Sequence, residues 1–109
     1  MKLDMTWNWT RKTRPKTFAS ALNRLLGLSN FTLSERALAI YSGCGRLLIR
    51  DFIEGREIPN DKDIKDIAGA FTLNLFGRVN CTARDSLFIE LRSIARNERA
   101  AKEETENEK

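Results

Sequence analysis

Two short apolar stripes on either side of Gly43 constrain the fold of this chain more than any other feature. Leu38 lies before the glycine, and Ile49 and Phe52 lie after it, at spacings that place apolar side chains on one face of a helix. Glycine takes a positive φ at little cost, so it suits a sharp joint between two helices. The pattern predicts a helix that ends just before Gly43 and a second helix, ending at Gly55, that packs against the first.

Several positions around this joint meet the requirements of two helices that cross at a wide angle. Counted from Glu35 as the first of twenty positions, the fifth is Ala39, the ninth is Gly43 and the fifteenth is Ile49. The fifth must be small because the helices cross there, the ninth must turn, and the fifteenth must be apolar to hold the second helix on the first. The same apolar requirement applies to Leu38, Cys44 and Phe52. The stretch matches neither phosphate-binding pattern, GxxxxGKS/T or GxGxxG, so Gly43 is interpreted as a turn residue.

This segment resembles the lambda-repressor-like, Cro-type helix-turn-helix DNA-binding domains, also called xenobiotic-response-element-type regulators. The resemblance covers residues 16–76, which include four of the five helices that the sequence predicts. It implies an all-α domain of about five helices, in which the helix that opens at Gly45 is the recognition helix and enters the major groove of DNA. The residues that carry the resemblance are Leu38-Ala39, Ser42-Gly43-Cys44, Ile49, Phe52, Glu54-Gly55-Arg56, Pro59 and Ile67-Ala68-Gly69-Ala70-Phe71.

Two features depart from the pattern of that family. The segment LSNF, residues 28–31 between the first two predicted helices, looks slightly expanded. Gly45, at the eleventh position, opens the recognition helix weakly, because glycine costs about 1 kcal/mol relative to alanine inside a helix. That cost is smaller near a helix start, and a glycine there also lets the backbone approach DNA closely.

Arginines line one face of the predicted recognition helix. Arg46 and Arg50 lie one helical turn apart, opposite Ile49 and Phe52. Their face is either a solvated surface or the surface that enters the major groove, where arginine binds guanine O6 and N7 or a phosphate. An exposed Leu47 would contact a thymine methyl group, whereas in a shifted register it would belong to the core. The resemblance implies that bases are read by Arg46, Leu47 and Asp51, with Gly45 and Arg50 beside them.

The resemblance also implies contacts with the DNA backbone. Arg56, just past Gly55, resembles the position that binds phosphate in this family. The start of the second helix at Glu35 would present backbone N–H groups to phosphate. A basic segment at residues 10–17 is either an arm that follows the duplex or a solubilising tail. Its charged members are Arg11, Lys12, Arg14 and Lys16.

The remaining patterns divide the chain into four segments. Residues 1–15 form a basic arm or, from their alternation at residues 3–9, a short strand with Trp7 and Trp9 on one side. Residues 16–76 form the helix-turn-helix domain. Residues 77–97 form a helix that either dimerises or packs on its own domain, and residues 98–109 form a charged tail that frays. The apolar stripe of the last helix, and hence the predicted dimerisation surface, is Leu87, Phe88, Leu91 and Ile94.

Three local signals refine the helix boundaries. Thr32 and Glu35 have the spacing of a capping box, so the second helix is expected to start near them. Asn60 or Asp61 is expected to cap the fourth helix. Residues 73–76 are either the end of that helix or a short extended piece.

The composition excludes several kinds of chemistry. The chain has no histidine and only two cysteines, Cys44 and Cys81, so Ser–His pairs, Cys–His pairs and a tetrahedral zinc site are not expected. Carboxylate pairs such as Asp51 and Glu54 are interpreted as solvated side chains of a charged helix face. No segment approaches the roughly 18 apolar residues of a membrane span, and the N-terminus lacks the apolar run of a signal peptide. We therefore expect no catalysis, cofactor, metal or membrane partner, and a cytoplasmic, nucleoid-associated protein.

The charge distribution favours a polyanionic partner. The net charge of the 109 residues is +4, and without residues 98–109 the rest has 16 basic and 10 acidic residues. A basic body favours DNA, RNA or an anionic membrane. Together with the resemblance, this predicts a sequence-specific regulator of transcription that binds double-stranded DNA. The small size is typical of phage- or plasmid-encoded regulators.

The predicted mechanism is repression by occlusion of a promoter. One recognition helix covers only a few base pairs, so we expect a homodimer on two half-sites about 10 bp apart, or a multiple of that distance. The alternative is a protein-interaction module on the same scaffold, such as an antitoxin or a phage adaptor. RNA binding is less favoured because the sequence predicts no aromatic stacking sheet.

Overall fold

Five α-helices make up the part of the chain that the structure, a computed structural model, describes: residues 13–26, 33–76 and 81–107. The helices are α1 (Phe18–Leu26), α2 (Glu35–Ser42), α3 (Arg46–Glu54), α4 (Asp61–Phe76) and α5 (Cys81–Asn107). These ranges contain no strand, so the predicted all-α fold of five helices is confirmed. The strand considered for residues 3–9, with Trp7 and Trp9, lies outside the described residues.

The core forms where the apolar stripes of all five helices meet. Phe18, the first residue of α1, meets Phe52 of α3 edge to face, with ring centroids 6.1 Å apart. α1 and α2 both pack against α3, and α4 packs against α2 and α5. The other large side chains that are fully buried are Leu22, Leu25, Leu38, Ile49, Ile64, Ile67, Phe71, Leu87, Leu91 and Ile94.

Side-chain hydrogen bonds start α2 and α4. Ser34 caps α2 in place of the predicted capping box, because its Oγ accepts a hydrogen bond from the N–H of Ala37 at 3.1 Å. Asn60 caps α4 as predicted, since its Oδ1 accepts from the N–H of Asp63 at 2.8 Å. Each cap satisfies one of the N–H groups that the first turn of a helix leaves without a backbone partner.

The structure defines where α4 and α5 end. Residues 73–76, for which helical and extended alternatives were open, belong to α4. The helix predicted for residues 77–97 is α5, and it continues to Asn107 through most of the segment that was predicted to fray. Within the described ranges, no helix combines the length and the apolar character that crossing a bilayer requires.

Two charged residues hold the second half of α5 on the domain. The carboxylate of Glu98, a residue only 9% exposed, accepts a hydrogen bond from the N–H of Phe18 at 2.8 Å. Arg99 donates to the carbonyl oxygens of Ile58 and Pro59, at 2.9 and 2.8 Å, in the loop before α4. The frayed tail was predicted from charge alone, and these two contacts explain why its first residues are ordered instead.

The stripe of α5 that was predicted to dimerise lies inside the domain. Leu87, Leu91 and Ile94 are at most 1% exposed and belong to the core. Phe88 is half-buried against the same core, and the guanidinium of Arg92 lies over its ring at 5.0 Å. The prediction that these side chains form a dimer interface therefore needs correction. Their periodicity identifies a buried face, and the surface that buries it belongs to the same chain.

Candidate nucleic-acid interface

Two glycines build the turn between α2 and α3, each for its own reason. Gly43 has φ 73° and ψ 8°, and its N–H donates to the carbonyl of Ala39 at 3.1 Å, so it ends α2 in the left-handed conformation. Gly45 has φ 88° and ψ 148°, a region that residues with a side chain rarely adopt. It precedes α3 as the N-cap instead of lying inside the helix. Gly45 therefore does not weaken α3 from within the helix, as was expected. The backbone conformation at this position favours glycine.

α3 presents one face to the core and the opposite face to solvent. Ile49 and Phe52 are buried, whereas Arg46, Leu47 and Arg50 are exposed. Leu47 is 83% exposed, which excludes the shifted register in which it would belong to the core. The two helices that support α3, α1 and α2, therefore leave accessible the side that was predicted to enter the major groove.

The start of α3 is an accessible helix N-terminus without a neutralising group. Gly45 offers no side-chain cap, and the first turn of α3 contains no acidic residue. The N–H groups of the first turn have no partner within the helix, and the helix dipole adds partial positive charge at this end. Arg46 and Leu47, both exposed, project from this turn. The combination of free N–H groups and an arginine favours an anionic partner such as a phosphate.

Four of the predicted site residues are joined by ion pairs. Glu35 Oε1 lies 3.2 Å from Arg50 Nε, so the start of α2 contacts the middle of α3. Arg56 Nε lies 3.1 Å from Asp51 Oδ1. A residue that was not among the predicted site, Glu54, connects the two pairs, because its carboxylate contacts Arg56 Nη2 and lies 3.8 Å from Arg50 Nη1. The i, i+4 spacing of Arg50 and Glu54 was the signal in the sequence that predicts this contact.

Two other arginines of α2 and α3 differ from Arg50 and Arg56. Arg46 on α3 and Arg36 on α2 are exposed, and among the described residues neither forms a hydrogen bond or an ion pair. Arg46 is thus the predicted base-reading arginine whose guanidinium has no internal competitor. Arg36 was not among the predicted site residues. The reason to consider it is its exposure, which cannot be read from the sequence.

The basic residues before α1 do not share one environment. Arg14 forms a two-pronged ion pair with Glu90 of α5, with Nε–Oε1 at 2.7 Å and Nη2–Oε2 at 2.9 Å, and its side chain is only 29% exposed. Neither of the two alternatives for this segment, a DNA-contacting arm or a solubilising tail, describes Arg14, which attaches the chain to α5. Lys16 is exposed. Arg11 and Lys12 lie outside the described residues.

A second cluster of polar groups lies between the turn and the first half of α4. Cys44 Sγ and carboxylate oxygens of Asp63 and Asp66 all lie within 4.8 Å of one another. These groups are of the types that bind cations, and their proximity was not predicted from the sequence. Burial, as the largest cause, raises the pKa of the Cys44 thiol. A protonated thiol is a poor metal ligand, so the cluster by itself does not define a metal site.

α2 also carries exposed apolar side chains. Ile40 is 68% exposed and Tyr41 is 56% exposed. Tyr41 borders a groove of about 250 Å³ between α2, α4 and α5, whose other walls include Lys65, Leu73 and Arg84. Among the described residues, none of α3 lines this groove.

Comparison with known proteins adds no assignment to these surfaces. No family model, no curated protein and no solved structure matches this chain.

Proposed function

We propose that this protein is a transcriptional regulator that binds double-stranded DNA in a sequence-specific manner and represses by occupying a promoter. The observation that carries the proposal is the exposed first half of α3. Ile49 and Phe52 hold the helix on the core while Arg46 and Leu47 extend into solvent. An α-helix is about 10–12 Å wide with its side chains, which matches the major groove at about 12 Å.

The chemistry of these two side chains indicates what kind of sequence would be read. The unpaired guanidinium of Arg46 would donate two hydrogen bonds to guanine O6 and N7. Leu47 would pack against the 5-methyl group of a neighbouring thymine, which buries part of an apolar side chain that is otherwise 83% exposed. The free N–H groups at the start of α3 would bind a phosphate and fix the register.

The proposed regulator acts as a homodimer on two half-sites. A single α3 reads too few base pairs to select one promoter, so two copies related by a two-fold axis are required. Because Leu87, Leu91 and Ile94 are used within the domain, the dimer contact must lie on other residues. Of the exposed large apolar residues, Ile89 is on α5, on the side away from that core stripe, and it is the first position to test.

The experiment that tests the proposal is selection from random DNA followed by a binding titration. We expect the wild-type protein to enrich one motif and to bind it more tightly than a random duplex of the same length. Arg46→Ala should lose about 1–3 kcal/mol on the enriched duplex and relax the preference at one base pair. Arg96→Ala removes the same charge from the exposed surface of α5 and serves as the matched control. If no motif is enriched, or if the two variants weaken binding equally, the proposal fails.

A second candidate function rests on the exposed apolar side chains of α2. Tyr41, which lines the groove, and the neighbouring exposed Ile40 favour a protein-interaction module, the alternative to DNA binding on the same scaffold. The two functions depend on different surfaces. Substitution of Tyr41 by serine should abolish capture of a protein partner under this alternative, and should leave DNA binding unchanged under the first proposal.

A further inference from the structure

Acidic side chains are as numerous as arginines on the surface that we propose to bind DNA. We use the term α3 face for the charged residues of α2, α3 and the loop after α3 that lie on or beside the exposed side of α3. Its arginines are Arg46, Arg50 and Arg56, and its acidic residues are Glu35, Asp51 and Glu54. The face therefore has no net charge, although the whole chain carries +4. A neutral face is unexpected for a surface that must approach a polyanion.

The acidic residues of the α3 face are not scattered at random. Glu54 contacts both Arg50 and Arg56, and each of these arginines has a second carboxylate, from Glu35 at 3.2 Å or from Asp51 at 3.1 Å. Within the described ranges, Glu54 is thus the carboxylate that the two arginines share. Removing Glu54 would take one ion pair from each arginine. Arg50 would keep Glu35, and Arg56 would keep Asp51.

Glu57 provides a contrast within the same segment. It is exposed and has the same charge as Glu54, but it forms no ion pair or hydrogen bond with the parts of the chain that the structure describes. The two residues are three positions apart, so they change the charge near the α3 face by the same amount. They differ in that Glu54 forms ion pairs with Arg50 and Arg56, whereas Glu57 forms none with the described residues.

We infer that Glu54 is a specificity-determining residue: it holds Arg50 and Arg56 in ion pairs that only a correctly seated DNA site exchanges for phosphate contacts. The inference rests on the proposed function. Binding to random DNA is almost wholly electrostatic and depends on the number of phosphates that basic side chains neutralise. An arginine already paired with a carboxylate contributes less to that number, so the pairs suppress binding to the wrong sequence.

At the correct sequence the balance is different. Exposed ion pairs are weak, so two phosphates held in register by the α3 contacts displace the carboxylates readily. The same ion pairs also hold the two arginines in one geometry before binding, which reduces the entropy lost on forming the complex. Removing Glu54 therefore adds attraction and loses pre-organisation at the correct site. At random sites it only adds attraction.

The test compares Glu54→Gln with Glu57→Gln on two DNA probes. One probe is the duplex that the wild-type protein enriches from a random library, and the other is a random-sequence duplex of equal length. We expect Glu54→Gln to bind the random duplex about 3- to 10-fold more tightly than wild type, with a salt dependence steeper by about 1–2 in the log–log slope. Its affinity for the enriched duplex should stay within about 3-fold of wild type. Glu57→Gln should change both affinities by about 2-fold or less.

Three outcomes would overturn the inference. Equal effects of the two substitutions would show that net charge alone acts. An equal gain on both duplexes would show that Glu54 sets affinity and not specificity, and an unchanged affinity of Glu54→Gln for random DNA would show that the arginines are not restrained. A wild-type protein that enriches no duplex from the random library, even at low salt, would instead remove the proposed function, and this inference with it. Circular dichroism of each variant checks that the fold is intact.

Discussion

The contact between Glu98 and the start of α1 predicts a large loss of stability when the carboxylate is removed. Glu98 Oε1 accepts a hydrogen bond from the N–H of Phe18 at 2.8 Å, across 80 residues of sequence. The residue is 9% exposed, so water does not readily replace the lost partner. The perturbation is Glu98→Ala, which leaves a buried N–H group without an acceptor at the first residue of α1.

The magnitude follows from the type of bond. A hydrogen bond to a charged group contributes about 1.5–3 kcal/mol, and a carboxylate at a helix N-terminus adds about 0.3–1 kcal/mol from the helix dipole. We therefore expect Glu98→Ala to lower the free energy of unfolding by about 2–3 kcal/mol. Glu98→Gln keeps an acceptor oxygen but not the charge, and it should lose about 1 kcal/mol. For a domain of this size, each kcal/mol lowers Tm by about 4–8 °C.

The assay is urea and thermal unfolding followed by circular dichroism, with Glu103→Ala as the control. Glu103 lies on the same helix and is exposed, so its substitution should change the free energy of unfolding by no more than about 0.5 kcal/mol. A loss below about 0.5 kcal/mol for Glu98→Ala would refute the reasoning, because the bond would then be replaced by water. Equal losses for the alanine and glutamine variants would show that the charge accounts for the whole effect, and that neither the retained acceptor oxygen nor side-chain packing contributes.

Two further predictions concern backbone conformation and thiol reactivity. Gly43→Ala should destabilise the protein by about 1–2 kcal/mol, because φ is 73° although no atom blocks the added Cβ. Gly69→Ala should stabilise it by about 0.5–1 kcal/mol, since Gly69 is helical and the new Cβ would meet Arg84 Cδ at an ordinary 3.7 Å; unfolding midpoints that move in the same direction for both variants would contradict this. Cys81 is exposed, whereas Cys44 is half-buried with its pKa raised by burial, so iodoacetamide should modify Cys81 roughly tenfold faster or more, as measured by peptide mass spectrometry.

Local periodicity was sufficient to find the helices and the buried faces of α1, α3 and α4, but Ile40 and Tyr41, one of which was expected on the buried side of α2, are both exposed. The stripes around Leu22, Ile49 and Phe71 are repeats within one segment, and each reappears as the buried side of α1, α3 or α4. An apolar stripe does not show which surface packs against it. The stripe of α5 illustrates this limit, because its side chains pack in their own domain, whereas a dimer was the other interpretation.

The contacts that the sequence did not reveal join distant segments. Arg14 and Glu90 are 76 residues apart, and Phe18 and Glu98 are 80 residues apart. Charge patterns within a window predict i, i+4 pairs on a helix, but they contain no information about which basic residue meets which acidic residue across the fold. The ends of the chain were therefore interpreted as an arm and a tail, although residues in both segments are attached to the domain.

The balance of charge on the α3 face has a consequence for how a DNA complex would form. If the three arginines and three acidic residues there cancel, the net positive charge of the chain must come from elsewhere. Long-range attraction would then orient the domain through those other residues, and α3 would contribute mainly short-range contacts. Under this division of roles, the salt dependence of wild-type binding should be smaller than the number of arginines on the face suggests. Arg46, which has no carboxylate partner among the described residues, then carries most of the discrimination between sequences.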